Sequence, residues 1–187
     1  MEDLKLIDIE TISSRRIKQI KSPFERITVK KGNEEKYIND GWEIVKSKLK
    51  HSIRLAKPKE SWIAFEDRVW GLIAEMGFKK VNTLRDFKIN YAPGLTKQID
   101  VFAFDDEIIL IIECKSTEER KRISYQKEIN ELIGLKDKLR DAAKSISNTE
   151  PKVAFIFATN NAILNDSDRL RIKDAASSDN FFHFNQD

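Results

Sequence analysis

Three carboxylates and one ammonium in this chain sit among apolar neighbours. The stretch "EIILIIECKS", Glu107 to Ser116, runs through the apolar residues Ile108 to Ile112 and then presents Glu113, Cys114 and Lys115. Such a run reads as a buried strand, and the two-residue period of a strand places Glu113 and Lys115 on one face at its end. Just upstream, "QIDVFAF" carries Asp100 and is separated from that strand by Asp105-Asp106. Read as a hairpin with a two-residue turn at those aspartates, the pairing sets Asp100 opposite Ile111 and Glu113 opposite Gln98. Asp100 and Glu113 then become diagonal neighbours, about 7–8 Å apart at the backbone. A turn of odd residue count would break that parity. The third acid, Glu66, falls four residues after Trp62, three before Val69 and seven before Ile73, on or beside the apolar stripe of a helix. Asp67 and Arg68 are expected to point elsewhere.

A carboxylate in such surroundings is costly unless it is paired, hydrogen-bonded or bound to a cation. Carboxylates that crowd one site also raise each other's pKa. A divalent cation removes both costs, and an all-oxygen donor set favours Mg²⁺ or Mn²⁺, the ions of phosphoryl chemistry. In this reading Asp100, Glu113 and the backbone carbonyl of Cys114 hold the metal, with Glu66 ligating it directly or through water. Lys115 orients or activates the attacking water and offsets charge on the phosphate. The alternative is a buried ion pair of Lys115 with Glu113 or Asp100 that serves only the fold, and it leaves one acid over. Gln126, near the start of the helix after Lys115, either touches a phosphate or holds Lys115, or is a helix-start residue only. Ser116 has the same two readings. Asn160 and Asn161, at the end of a later strand, either approach the site or serve a turn, the turn being favoured, and His51 and His183 lack partners at any metal or catalytic spacing.

The elements that would position these groups can be read in outline. A helix is expected from Ser61, as its cap, to Met76, with Gly77 as its stop. Its apolar face comprises Trp62, Phe65, Val69, Trp70, Ile73 and Met76. A strand around Leu84–Ile89, a Pro93-Gly94 turn and the hairpin follow. Residues 124–146 repeat apolar positions at helical spacing, "KVAFIFATNN" reads as a buried strand, "LNDSDRLRIKDAAS" as a capped helix and "FFHF" as a last strand. Antiparallel strands followed by an α/β crossover give a mixed sheet with helices on both faces, an α/β fold. Before it, "SSRRIKQIKSPFE" has a short helical rhythm and "EIVKSKLK" alternates strictly, as an extended strand with one basic face closed by Pro58. Residues 1–60 are therefore an amino-terminal extension with a basic strand, and 61–187 the main domain. From Trp42 to Glu60 six Lys/Arg stand against two Glu, although the whole chain is only +3. Lys46, Lys48, Lys50, Arg54 and Lys57 are the candidate phosphate contacts.

With 187 residues, 40% hydrophobic and 35% charged, the chain can bury one proper core. No apolar run is long enough to span a membrane and no signal peptide opens the chain, so a cytoplasmic protein is the default expectation. Cys114 is the only cysteine, which excludes an intramolecular disulfide and a four-cysteine zinc site. Asn185 and Asp187 after the last strand look like the opening cap of a further helix, and a longer parent protein is expected.

"QID" at 98–100, then "ECK" at 113–115 after a hydrophobic strand, resembles the PD-(D/E)xK nuclease superfamily. "FEDRVWGLIAEMGF" at 65–78 is similar to the first helix of its Mrr-like and archaeal Holliday-junction-resolvase-like branches, where a Glu on that helix joins the site. "YQKEINELIGLKDKLRDA" resembles the helix that succeeds the ExK motif. The likeness covers roughly residues 60–185. Where the family often has Pro before the Asp, this chain has Ile99. The resemblance implies a restriction-endonuclease-like fold and metal-dependent hydrolysis of phosphodiester bonds in DNA, in restriction, defence or DNA processing. Many enzymes of this fold pair up to cut both strands, so it also admits a homodimer. "GWEIVKSKLKHSIRLAKPK" together with the 65–78 helix looks like the amino-terminal part of bacterial proteins that carry a second, DGQHR-type domain, which implies a fused carboxy-terminal partner. A domain that binds DNA without cutting it, as the targeting module of a larger protein, is the alternative from another class.

Overall fold

Apolar residues at alternate positions build one large sheet, and apolar residues at helical spacing cover both of its faces. A computed structural model describes residues 5–46, 49–83, 85–147, 149–178 and 180–186. In chain order the elements are β1 (Leu6–Asp8), α1 (Ser14–Ile20), β2 (Phe24–Lys30), α2 (Glu35–Asn39), β3 (Glu43–Lys46), β4 (Ser52–Pro58), α3 (Ser61–Glu75), β5 (Lys80–Asn82), β6 (Lys88–Ala92), β7 (Leu95–Gln98), β8 (Val101–Phe104), β9 (Ile108–Ile123), α4 (Gln126–Lys144), β10 (Lys152–Leu164), α5 (Asp166–Ser178) and β11 (Phe181–Gln186). The main sheet has the order β1-β5-β8-β9-β10-β11. Its first half is antiparallel, and β9, β10 and β11 are parallel, joined by the crossover helices α4 and α5. The expected mixed α/β sheet with helices on both faces is therefore the fold.

Strand alternation sorts the core into two layers. Leu110, Ile112 and Cys114 of β9 face α1 and α3, where they pack with Phe65, Val69, Trp70 and Ile73. Ile109 and Ile111 face the opposite way, with Phe102, Phe155 and Phe157, onto Ile129, Leu132 and Leu139 of α4. Each helix contributes one apolar face and leaves the other in water. The first 60 residues take part directly: β1 pairs with β5 at one edge of the main sheet, and Ile17 and Ile20 of α1 are buried against the α3 layer.

Several boundaries differ from those expected. The basic segment is not one strand. β3 ends at Lys46 with an irregularity in its pairing to β4, and the three form a separate sheet of order β2-β4-β3. The strand expected around Leu84–Ile89 begins only at Lys88, as β6, with a separate β5 before it and Leu84 outside the described residues, and "QIDVFAF" is broken at Ile99-Asp100 into β7, which pairs with β6, and β8, which enters the main sheet. Ser61 is the first residue of α3 and Glu60 holds the cap position without a capping bond. Trp62 and Met76 are 50% and 62% exposed. The buried stripe is narrower than expected, because it must fit only the strip of sheet above β8 and β9. Gly77, at φ +90°, ends the helix in the left-handed region as anticipated. Asn185 lies inside β11, where its side-chain oxygen accepts from Thr159, so it opens no helix; Asp187 lies outside the described residues.

Candidate active site

The hairpin that carries the acids turns one residue later than expected. The Asp105 carboxylate accepts the N–H groups of Glu107 and Ile108, both at 2.9 Å, and the Asp105 N–H donates to the Ile108 carbonyl. This side-chain turn closes the loop over Asp106-Glu107. Val101 then pairs with Ile112 and Phe104 with Ile109. The shift is by two residues, so the faces are kept. Extending the ladder one step brings Asp100 opposite Glu113, which are the close positions expected, but directly across instead of diagonal.

Asp100 precedes β8 and is held at its carboxylate and at its carbonyl. Its carboxylate accepts the Cys114 N–H at 2.7 Å. Its carbonyl accepts from the Asn82 amide at 3.2 Å, while Asn82 also accepts the Phe102 N–H at 2.9 Å and, through its carbonyl, the Trp70 indole N–H at 2.8 Å. Asn82 is fully buried. The chain Trp70–Asn82–Asp100 therefore ties α3, one turn beyond Glu66, to the strand that bears the acid. Sequence reading passed over Asn82 because nothing in its own spacing marks it.

Glu113 is buried and its Oε1 accepts from Lys115 Nζ at 2.6 Å. A second lysine, Lys97 of β7, stands 3.8 Å from the other Glu113 oxygen and 2.9 Å from Glu131 of α4. Lys97 was missed because the broken strand was read as continuous. Cys114 is buried with its side chain in the α3 layer, and burial, then Asp100, push its thiol well above the usual range. Its sulfur is thus inert as a ligand. In extended backbone a residue's N–H and C=O share one strand edge, so the Cys114 carbonyl opens to the Asp100 side.

The electrostatics join these groups into one cluster. Burial and then the neighbouring Asp100 push the Glu66 carboxyl up to about 7, against the pull of Arg85 and Lys115. Burial and then Glu113 push Asp100 up to about 6, although the Cys114 N–H, Lys115 and Lys97 all favour its charged form. For Lys115, burial would lower the pKa, but Glu113, then Asp100 and Glu128, raise it on balance. Lys115 is a cation at neutral pH. Tyr125 and Glu128, at the start of α4, also feel Lys115. Gln126 is exposed there, and among the described residues its side chain makes no hydrogen bond to the cluster. Ser116 Oγ is buried without a partner among the described residues. Asn161, at φ +56°, donates to the Thr117 and Glu118 carbonyls. It holds a bulge between β9 and β10 inside a strand that runs on to Leu164, so Asn160 and Asn161 do not form the strand-end turn expected of them.

The donor set suits a hard cation of the Mg²⁺ or Mn²⁺ kind, which is usually held through one or two carboxylates while keeping water and phosphate oxygens. Asp100, Glu113 and the Cys114 carbonyl supply that number, and the mutual repulsion of the two acids is the strain a cation would relieve. Among the described residues no three His, Cys, Asp or Glu side chains converge into a metal cluster. Glu66 meets the other acids through the charge of Asp100, which its carboxyl feels.

The basic residues are placed unequally. Lys46 and Arg54 are exposed cross-strand partners on one face of the β2-β4-β3 sheet. Lys50 is exposed in the turn before β4. Lys57 projects from the other face and donates to the Asp40 carbonyl at 2.8 Å, clamping a loop. Lys48 lies outside the described residues. No described helix is long and apolar enough to cross a membrane. Comparison with protein-family models, with curated proteins and with solved structures finds no match for the chain.

Proposed function

We propose that the protein is a metal-dependent nuclease that hydrolyses phosphodiester bonds in DNA. One observation carries the reading: Asp100 just before β8, Glu113 and Lys115 in the middle of β9 and Glu66 of α3 form one electrostatic cluster where β8 begins beside β9. Asp100, Glu113 and the Cys114 carbonyl would hold Mg²⁺ or Mn²⁺. Such an ion, when bound, supplies Lewis-acid polarisation of a phosphate oxygen and lowers the pKa of water. Lys115 Nζ, which donates to Glu113 Oε1 at 2.6 Å, would orient the attacking water and offset charge on the phosphate. The Glu66 carboxyl, pushed up to about 7, holds or accepts a proton at its Oε atoms near neutral pH. Gln126 is kept as a candidate phosphate contact at the mouth of the site. The resemblance to PD-(D/E)xK nucleases supports the same assignment, including the restriction-endonuclease-like form of the fold, a pairing of two copies and a fused carboxy-terminal partner.

A second reading keeps DNA binding and drops hydrolysis, with the chain as a targeting module. The tight Lys115–Glu113 ion pair and the absence of a three-acid cluster among the described residues favour it. The two readings separate in one experiment: cleavage of plasmid and branched DNA with Mg²⁺ or Mn²⁺ by wild type, Asp100→Ala and Lys115→Ala. The nuclease reading expects cleavage by wild type alone. Equal activity in all three sinks the site, and salt-dependent binding without nicking leaves the targeting module.

A further inference from the structure

A groove of about 610 Å³ lies between the β2-β4-β3 sheet and α1, outside the acid cluster. It is lined by Arg15 and Arg16 of α1, Arg26 of β2, Arg54 of β4, and Lys59 and Arg85 at its inner end, against only Glu25 and Asp67. Asp67 is already neutralised by Lys59 at 2.5 Å and by Arg85 at 3.1 Å. Arg15, Arg16 and Arg54 are exposed, and among the described residues none has a carboxylate within ion-pair distance. Arg54 also faces Lys46 directly across the ladder, an arrangement that destabilises a sheet unless an anion lies over it. Phe24, 43% exposed, and Trp42 line the same groove. A cationic channel interleaved with aromatic rings suits a single strand, whose phosphates are tracked by arginine and whose bases stack on the rings.

The inner end points at the acids. Arg85 and Asp86 both hold positive φ, +54° and +58°, a strained conformation for residues with side chains. It places the Arg85 guanidinium on Asp67, beside Glu66, whose carboxyl feels its charge. Arg85 Nε is buried without a hydrogen-bond partner among the described residues.

We propose that this groove binds a single-stranded nucleic-acid segment and leads it past Arg85 to the acid cluster. The ligand class rests on the nuclease reading, but binding is tested apart from cleavage. The experiment uses the full chain in EDTA, with a short fluorescein-labelled oligodeoxynucleotide, single-stranded or annealed to its complement, followed by anisotropy across a salt series. Arg16→Glu with Arg54→Glu should weaken single-strand binding by about tenfold or more and lower the log–log salt slope by about 2. Phe24→Ala should weaken it with little change in slope. The control Lys173→Glu, exposed on α5, should change little. Because Arg54→Glu removes the like-charge pair with Lys46, its Tm should hold or rise, so lost binding will not reflect lost folding. The proposal fails if the arginine variants bind like wild type or like the Lys173→Glu control, or if the duplex is preferred through the same arginines. Groove binding without any metal-dependent cleavage by wild type would instead remove the nuclease reading and leave the groove standing. Cleavage that persists with unimpaired binding in the arginine variants would do the reverse.

Discussion

Glu66 and Asp67 are adjacent on one helix and live in opposite electrostatic worlds. Asp67 is the more deeply buried, at 2% exposure, yet both of its oxygens are matched, by Lys59 Nζ and by Arg85 Nη2. Glu66 is only half-buried, has no ion-pair partner among the described residues, and faces another acid, so its carboxyl rises to about 7. Depth of burial therefore does not mark the candidate active group. What marks it is charge left without compensation in a place where compensation was available one residue away. A compensated buried charge belongs to the architecture; an uncompensated one at a cleft is a poised site.

That contrast is broken most directly by removing the compensated acid. Asp67→Ala would strand the Lys59 ammonium, only 7% exposed, and Arg85 beside it, and loss of one partner of a buried pair costs about 3–5 kcal/mol. For a chain of this size that is a Tm lower by roughly 6–20 °C. Glu66→Gln should leave the Tm unchanged or higher at pH 8. Thermal unfolding of both variants decides it, and a tolerant Asp67→Ala would show that the Lys59–Asp67–Arg85 cluster is not structural.

Asp100 provides the next test. Its pKa lies at about 6 in the fold against an ordinary 3.8, so the folded state binds the proton more tightly than the unfolded chain does. The stability due to that proton is present below pH 3.8 and is lost as pH rises through about 6. At pH 8, without divalent metal, Asp100→Asn should therefore exceed wild type in Tm by several degrees, on the order of 1–3 kcal/mol. The gap should close by pH 4. Added Mn²⁺ should raise the wild-type Tm at pH 8 and leave that of the variant nearly unmoved, because a ligand that binds only the folded state stabilises it. A gap that is flat with pH would mean that Asp100 is not crowded by Glu113.

Most of this arrangement was legible wherever it depended on strand parity. The faces of Asp100, Glu113 and Lys115 follow from a period of two, and a turn misplaced by one position at each arm shifted the register without exchanging faces. What could not be read depends on side chains that act across long sequence distances. Lys97 reaches Glu113 only because the chain breaks at Ile99-Asp100 and sends β7 to pair with β6. Arg85 reaches Asp67 only through two residues at positive φ. Asp67 was expected only to point away from the acids, and its partners could not be seen from its own segment because Lys59 and Arg85 lie 8 and 18 residues away. The basic segment failed as one strand because alternation of Lys with apolar residues cannot report the bend at 49–51 that precedes β4.

The two acids share α3, and among the described residues one polar thread fixes α3 to the strand of Asp100, the Trp70 indole on the Asn82 carbonyl at 2.8 Å. Trp70→Phe keeps an aromatic ring in the α3 layer and deletes that donor, leaving a buried carbonyl with one bond fewer. The expected loss is about 1 kcal/mol from the hydrogen bond, plus a smaller packing loss, or a Tm lower by roughly 2–5 °C. The two acids should respond differently. Asp67 is held by Lys59 and Arg85 and should keep its place, whereas the spacing of Glu66 to Asp100 depends on the thread. Trp70→Phe should therefore weaken Mn²⁺ binding at pH 8 by about tenfold or less, the scale of a supporting-shell defect, while Asn82→Ala, which keeps the backbone carbonyl that accepts from Trp70 but removes the side-chain bonds to Asp100 and Phe102, should weaken it further. Calorimetric titration of both variants tests that order; metal affinity that falls in Trp70→Phe and not in Asn82→Ala would mean that α3 is positioned by packing alone.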